Sequence, residues 1–414
     1  MHQHIVALLS TVVVLAVDLN IGFAQDSKVD LHVAVFAYLP DASAAIEKLE
    51  DEFEARYASI DLDIELLNPY DDEVEMDGLS QLVDFDVVEI DVCRIDQLMG
   101  GALGGIDKLP ATLLRPESSY VGPAKTLRAA PEGNYVVPHW MCGNFLVTWQ
   151  SNNEVNTANT FTELLAALNP DKHPILAPMW GRTTLGEYYA DAMLDMYGPQ
   201  SAREHLNKLG TGEVKLDSKA ARAVVALADE LPRAQRGELK HFDEHAYYLP
   251  RLFASDDTKN AAVLLGYSER LYYAERERQL GPGVTLPAIT PKDVCVRQFS
   301  FADKSQGTPC WVDGFVVPKG KFAGKQAAIS AFLLFIQSPD GYRPFAKPGP
   351  YFAATNLLPA SSAAYEDEQL AALQPTLSTY RDVLGDGFLV QESTTWKGMR
   401  EAGAQLRDML KPKP

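Results

Sequence analysis

At 414 residues the chain exceeds one core of ordinary size, so two or three domains are expected. Its composition, 46% hydrophobic and 22% charged with no biased tract, is that of a globular protein and argues against disorder. Acidic side chains outnumber basic ones 56 to 37, a formal net charge of −19. Such a surface repels nucleic acid and anionic lipid and favours neutral or cationic ligands.

The first element is a targeting signal. Ile5 to Val17 is an apolar run, followed by Gly22-Phe23-Ala24 with small residues at the −3 and −1 positions of a cleavage site. A membrane span needs ~20 residues, so the run fits the core of a secretory signal peptide, residues 1–24, better than an uncleaved anchor. The flank carries His2 and His4 rather than Lys or Arg, and Asp18 and Asn20 interrupt it. A secreted or periplasmic protein without stable membrane association is expected.

Val29 to Tyr38 alternates and then runs apolar, which reads as a strand. A helix follows to about Tyr57, with Ala45, Ile46, Leu49 and Phe53 at helical spacing. Ile60 to Leu67 and Phe85 to Ile90 read as strands, so the chain opens as a parallel α/β sheet. Past Gly100 to Gly105, strands are expected at Val136 to Pro138 and Phe145 to Trp149, flanking Cys142. Helices are expected near 160–168, 185–197 and 220–231. Strands follow at Val263 to Tyr267 and Phe315 to Pro318, then an amphipathic helix from Ala323 to Gln337. The last sixty residues or so read as mainly helical, and no internal repeat is present.

This order resembles the class II periplasmic binding proteins, on the phrases GGALGGIDKLP and GFVVPKGKFAGKQAAISAFLLFIQSPDG. The resemblance implies an α/β fold of two lobes around a central cleft. Lobe 1 would take 29–141 plus 282–347, and lobe 2 would take 142–281 plus 348–414. Ligands of such folds sit between the lobes.

Cys142, in VPHWMCGNF at the expected crossover, is a candidate nucleophile. A lone cysteine is more often a small buried hydrophobe, and a nucleophile needs a base. His139 is close in sequence; Glu269, in the strand-end phrase GYSE, is the other candidate. The competing reading of Glu269 is a cap between strand and helix. Cys295 and Cys310 could close a small loop, and Cys93 with Cys142 is a second possible pair.

The phrases GNYVVPHWMCGNFLVTW, AAVLLGYSERL, HVAVFAYLPD and DVVEIDV together resemble thiaminase I (thiamine pyridinylase), a secreted enzyme on the class II binding-protein fold. The resemblance runs from about Val29 to the C-terminal helices. It implies Cys142 as nucleophile and Glu269 as general base. It places Tyr38, Tyr70, Tyr247 and Tyr267 around the pyrimidine, and Asp91 and Asp313 as the acidic residues holding the substrate. Gly181-Arg182-Thr183-Thr184 resembles a glycine-and-threonine phrase of the second lobe. Phe36 and Trp311 stand where the family has tyrosines, Trp311 keeping the aromatic face of a substrate contact. Thiamine is a cation, which suits an acidic, aromatic cleft.

The implied activity replaces the thiazole of thiamine by an external amine, pyridine or thiol through a covalent Cys142–pyrimidine intermediate. No cofactor or metal is required, and a monomer is expected. A solute-binding protein for thiamine or a related cationic heteroaromatic is the alternative, since transport needs neither Cys142 nor Glu269. Other motifs carry less. His241 and His245 are spaced i, i+4 without the HExxH pattern, and Asp71 to Asp77 lacks EF-hand spacing. Gly100 to Gly105 lacks the Lys-Ser/Thr of a P-loop, and no CxxC or GxSxG occurs. Tyr188-Tyr189 and Tyr272-Tyr273 read as packing.

Overall fold

The structure, a computed structural model, describes residues 28–35, 40–67, 81–101, 104–168, 174–179, 181–231, 253–254, 262–279, 289–303, 306–348 and 353–411. The signal segment, Tyr38, Tyr70, the acidic run 71–77, His241, His245 and Tyr247 lie outside the described residues.

In chain order, β1 (Val29–Val35) buries Leu31 and Val33 to Val35, and α1 (Ala42–Arg56) buries Ala45, Leu49 and Phe53 along one stripe. β2 (Ile60–Leu66) and β3 (Val87–Asp91) pair in parallel with β1 on its two sides, as the alternating patterns predict. β4 (Val137–Gly143) and β5 (Phe145–Trp149) are separated by Asn144 alone. β6 (Ile175–Leu176), α2 (Arg182–Gly210), α3 (Ser218–Asp229), β7 (Val263–Gly266), α4 (Arg270–Gln279) and β8 (Val294–Gln298) follow. The chain then runs through β9 (Pro309–Val316), α5 (Gln326–Ile336), β10 (Leu358–Pro359), β11 (Phe388–Leu389) and α6 (Ser393–Leu410).

Two sheets result. The larger has the order β10-β4-β9-β3-β1-β2, with β11 also pairing with β9; the smaller is β6-β7-β5-β8. The chain passes from the large sheet to the small one at Asn144 and returns between β8 and β9. This is the expected two-lobed α/β arrangement, and both crossings meet at the lobe junction. Strand β8 falls in the segment 282–347 expected for lobe 1, yet it pairs with β5 along its length. Conversely, β10 and β11 fall in 348–414 and join the large sheet. The return crossing comes after β8, because Val294 and Val296 bury their side chains in the second lobe's strand layer.

The helix expected over 185–197 ends at Gly198, whose φ 80 and ψ 168 are not helical, and Pro199 opens a second helical stretch that carries α2 on to Gly210. Helices α2 and α6 touch backbone to backbone. A Cβ on Gly186 would stand 2.1 Å from the Met399 carbonyl oxygen, and one on Gly403 would stand 1.7 Å from that of Arg182. That approach fixes the rotation of α2, whose Glu187, Asp191 and Asp195 all end up buried. Tyr188, Tyr189 and Tyr272 are core residues, as read from sequence.

All four cysteines are free thiols, so neither pairing considered from the sequence is formed. Among the described residues no helix is long and apolar enough to cross a membrane.

Candidate active site

Register alone brings most of the sequence-derived residues together. On β9, Trp311 and Asp313 are two residues apart and share a face. Asp313 pairs with Asp91 of β3 on one side, while Trp311 pairs with Cys142 of β4 on the other. Paired residues point to the same side, so the thiol, the indole and both carboxyls line one wall. Cys142 lies inside β4 rather than between two strands, and its Sγ is 4.0 Å from the Trp311 carbonyl oxygen.

The small sheet supplies the facing wall. β7 ends at Gly266, and Tyr267, Ser268 and Glu269 turn the chain into α4. Gly266 has φ 156, and the backbone N–H groups of Arg270, Leu271 and Tyr272 close the turn on the carbonyls of Tyr267, Ser268 and Glu269. The Tyr267 ring meets Trp311 edge-on, with centroids 6.2 Å apart and planes at 64°. Cys142, Asp91, Tyr267 and Glu269 are all half-buried, so they remain open to the cleft, whereas Trp311 and Asp313 are buried. Six of the nine residues singled out from sequence therefore converge; Tyr38, Tyr70 and Tyr247 lie outside the described residues.

The electrostatics follow from placing acids together away from water. Burial pushes the Cys142 thiol well up, and the charges of Asp313, Asp91, Glu269 and Glu187 push it further. Burial also raises Asp313 well above the usual carboxylate range, with Asp91, Glu89 and Glu269 adding to it. Asp91 rises to about 6 through burial, held back by the Cys93 N–H at 3.0 Å and by Arg94. Burial raises Glu269 too, against the pull of Arg270. Burial and these carboxyls together favour Cys142 as a thiol, and a positive charge beside it would favour the thiolate.

His139, three residues from Cys142, is no partner for it. Its ring is buried among Trp140, Phe315, Tyr342 and Phe345, and Nδ1 meets Glu89 at 2.5 Å. A bulge between Pro138 and Trp140 shifts the register there.

Sequence reading missed Glu187, 2% exposed on α2, which accepts a hydrogen bond from the Tyr267 hydroxyl. Burial raises it to about 7, while Tyr267, Asn144 and Arg270 hold it down. Asn144 sits beside Glu187 and Asp191, though its Nδ2 meets neither at hydrogen-bonding geometry. The available signal was Glu187, Asp191 and Asp195 at four-residue spacing inside an apolar helix. The last two serve the return crossing: Asp191 accepts from the Thr308 hydroxyl at 2.8 Å, and Asp195 from the N–H groups of Phe301 and Gln306.

With this geometry in hand, comparison with known proteins is informative. No family model matches the chain, and no curated protein matches it in sequence. Solved structures do match. Thiaminase I of Clostridium botulinum in complex with thiamin superposes with a TM-score of 0.72 at 16% identity, covering 92% of this chain and 99% of that one. Thiaminase I from Bacillus thiaminolyticus gives 0.70 at 17% over the same shares. The fold is that of the thiaminase I structures. Solute receptors share it: maltose-bound MalE3 of T. maritima gives 0.65 at 14%, covering 92% of this chain and all of that one. A eukaryotic thiaminase-I bound to 3-deazathiamin gives 0.60 at 15%, with 91% and 99% covered.

Proposed function

We propose that this protein is a thiamine-degrading transferase of the thiaminase I kind, acting outside the cytoplasm as a monomer. The observation that carries the reading is the half-buried Cys142 thiol ringed by Asp91, Asp313 and Glu269. A carrier gains nothing from a thiol there, and two carboxyls on directly paired strand positions, each raised by burial, cost the sheet stability unless a ligand uses them.

In this reading the thiazolium cation is drawn to Asp91 and Asp313, and the rings of Trp311 and Tyr267 cover the heterocycle. Tyr38, Tyr70 and Tyr247 complete the aromatic lining. Cys142 Sγ adds to a carbon of the electron-poor pyrimidine while its proton passes to Glu269. The bond from the bridging methylene to the thiazolium nitrogen breaks, its electron pair leaves with nitrogen, and the thiazole departs neutral. An external nucleophile then bonds to the methylene. The ring-carbon–Sγ bond breaks, and Cys142 recovers its proton from Glu269.

A second reading, a solute-binding protein for thiamine or a related cationic heteroaromatic, is supported by the fold match to the maltose-bound receptor, at a TM-score of 0.65 against 0.72 for thiaminase I. Incubation with thiamine and aniline, followed by mass spectrometry of the small molecules, decides between them. Free thiazole and a pyrimidine–aniline product are expected. Thiamine bound and recovered intact would mean a carrier.

A further inference from the structure

The transferase reading, on which this inference rests, has a proton balance that Glu269 alone cannot close. Glu269 takes one proton from Cys142 and returns it when the thiolate leaves. An N–H nucleophile sheds a second proton as its nitrogen bonds to the methylene, and that proton needs another acceptor. A nucleophile without a proton to lose, such as pyridine, sheds none.

We propose that the Tyr267 hydroxyl and the Glu187 carboxyl form a relay that takes this second proton, fitting the site to amine co-substrates. Tyr267 is half-buried on the cleft wall, its ring against Trp311, whose strand position pairs with Cys142. Its hydroxyl donates to Glu187 Oε1, already aligned to hand its proton inward. Glu187 is 2% exposed, and its Oε2 has no hydrogen-bond partner among the described residues. An amine leaning on the Tyr267 oxygen gives up its proton there as the hydroxyl proton passes to Glu187. Nitrogen gains the carbon bond, Glu187 becomes the acid, and Cys142 leaves with the electron pair of its own bond. Glu187 acts through Tyr267 and is a positioning residue for the reaction.

The groups around Glu187 suit the role. Asp91 of β3 and Cys142 of β4 face it from the large sheet. Asn144 comes from the crossing, Arg270 from α4, and Tyr188 and Asp191 from its own helix. The carboxyl sits at about 7, so it is an acceptor near neutral pH and can release the proton afterwards.

The test compares aniline with pyridine as co-substrate for the full-length protein, Glu187→Gln and Tyr267→Phe. The ratio of aniline-dependent to pyridine-dependent turnover is expected to fall at least tenfold in both variants. In the unaltered protein, aniline turnover should climb as pH rises through about 7, a limb absent with pyridine. Should Glu187→Gln fail to fold, Tyr267→Phe reads the same relay. Equal losses for both nucleophiles in folded variants would overturn the relay and leave the transferase reading standing. No transfer to either nucleophile by the unaltered protein would overturn both.

Discussion

Asp91 and Asp313 face each other across neighbouring strands of the large sheet, whereas Glu187 on the opposite wall is gripped by Tyr267 and flanked by Asn144 and Arg270. The first pair sets two carboxyls side by side, with Asp91 accepting from the Cys93 N–H, which suits it to holding a cation. The second is a carboxyl already engaged with a proton donor, which suits it to moving protons. The same functional group is thus suited to different work according to what the strand register or the helix rotation sets beside it. Cys142 stands on the first wall and feels the charges of both.

The largest expected effect removes the atom that both walls serve. Cys142→Ser should lower thiazole release on the order of 10⁴-fold or more, with thiamine binding by calorimetry changed less than tenfold. Retained turnover would mean that another group attacks.

Next comes the cost of the buried carboxyl on the small-sheet wall. Glu187 rises from its ordinary value near 4.5 to about 7, so its contribution to stability is fully present below pH 4.5 and is lost as pH climbs through 7. Chemical denaturation at pH 4.5 and pH 8 should show Glu187→Gln flattening the pH dependence by about 3 kcal/mol. An unchanged profile would show that Glu187 is solvated.

A smaller effect separates binding from chemistry. Asp313→Asn should raise the KM for thiamine about 30-fold, or about 2 kcal/mol, with kcat much less affected. A loss confined to kcat would move Asp313 from cation binding to proton transfer. Smallest is Trp311→Leu, which removes a ring face worth about 1 kcal/mol and should weaken thiamine binding about fivefold.

These residues also mark how far the sequence could be read. The β1–α1–β2–β3 opening was legible because each strand alternates or runs apolar and α1 has a clean stripe. Strand β9 was seen only from Phe315 onward, since Pro309, Asp313 and Gly314 look like loop chemistry, yet a central strand carries them and sets Asp313 in register with Asp91. Cys142 and Glu269 stood out through their phrases, and Asp91 and Asp313 through the resemblance. Glu187 did not stand out. Its role depends on the rotation of α2, which is fixed by backbone contact with α6 more than two hundred residues later in the chain, and no local pattern encodes that contact. His139 misleads for the same reason: nearness to Cys142 in sequence says nothing of the bulge and the aromatic box that turn it away.

The most direct measurement of the central claim is the intact mass of the protein after incubation with thiamine and no added nucleophile, followed by peptide mapping. The account predicts a pyrimidinylmethyl adduct on Cys142, absent from Cys142→Ser and discharged on adding aniline. An unmodified Cys142 with thiamine bound and intact would contradict it and leave a binding protein in its place.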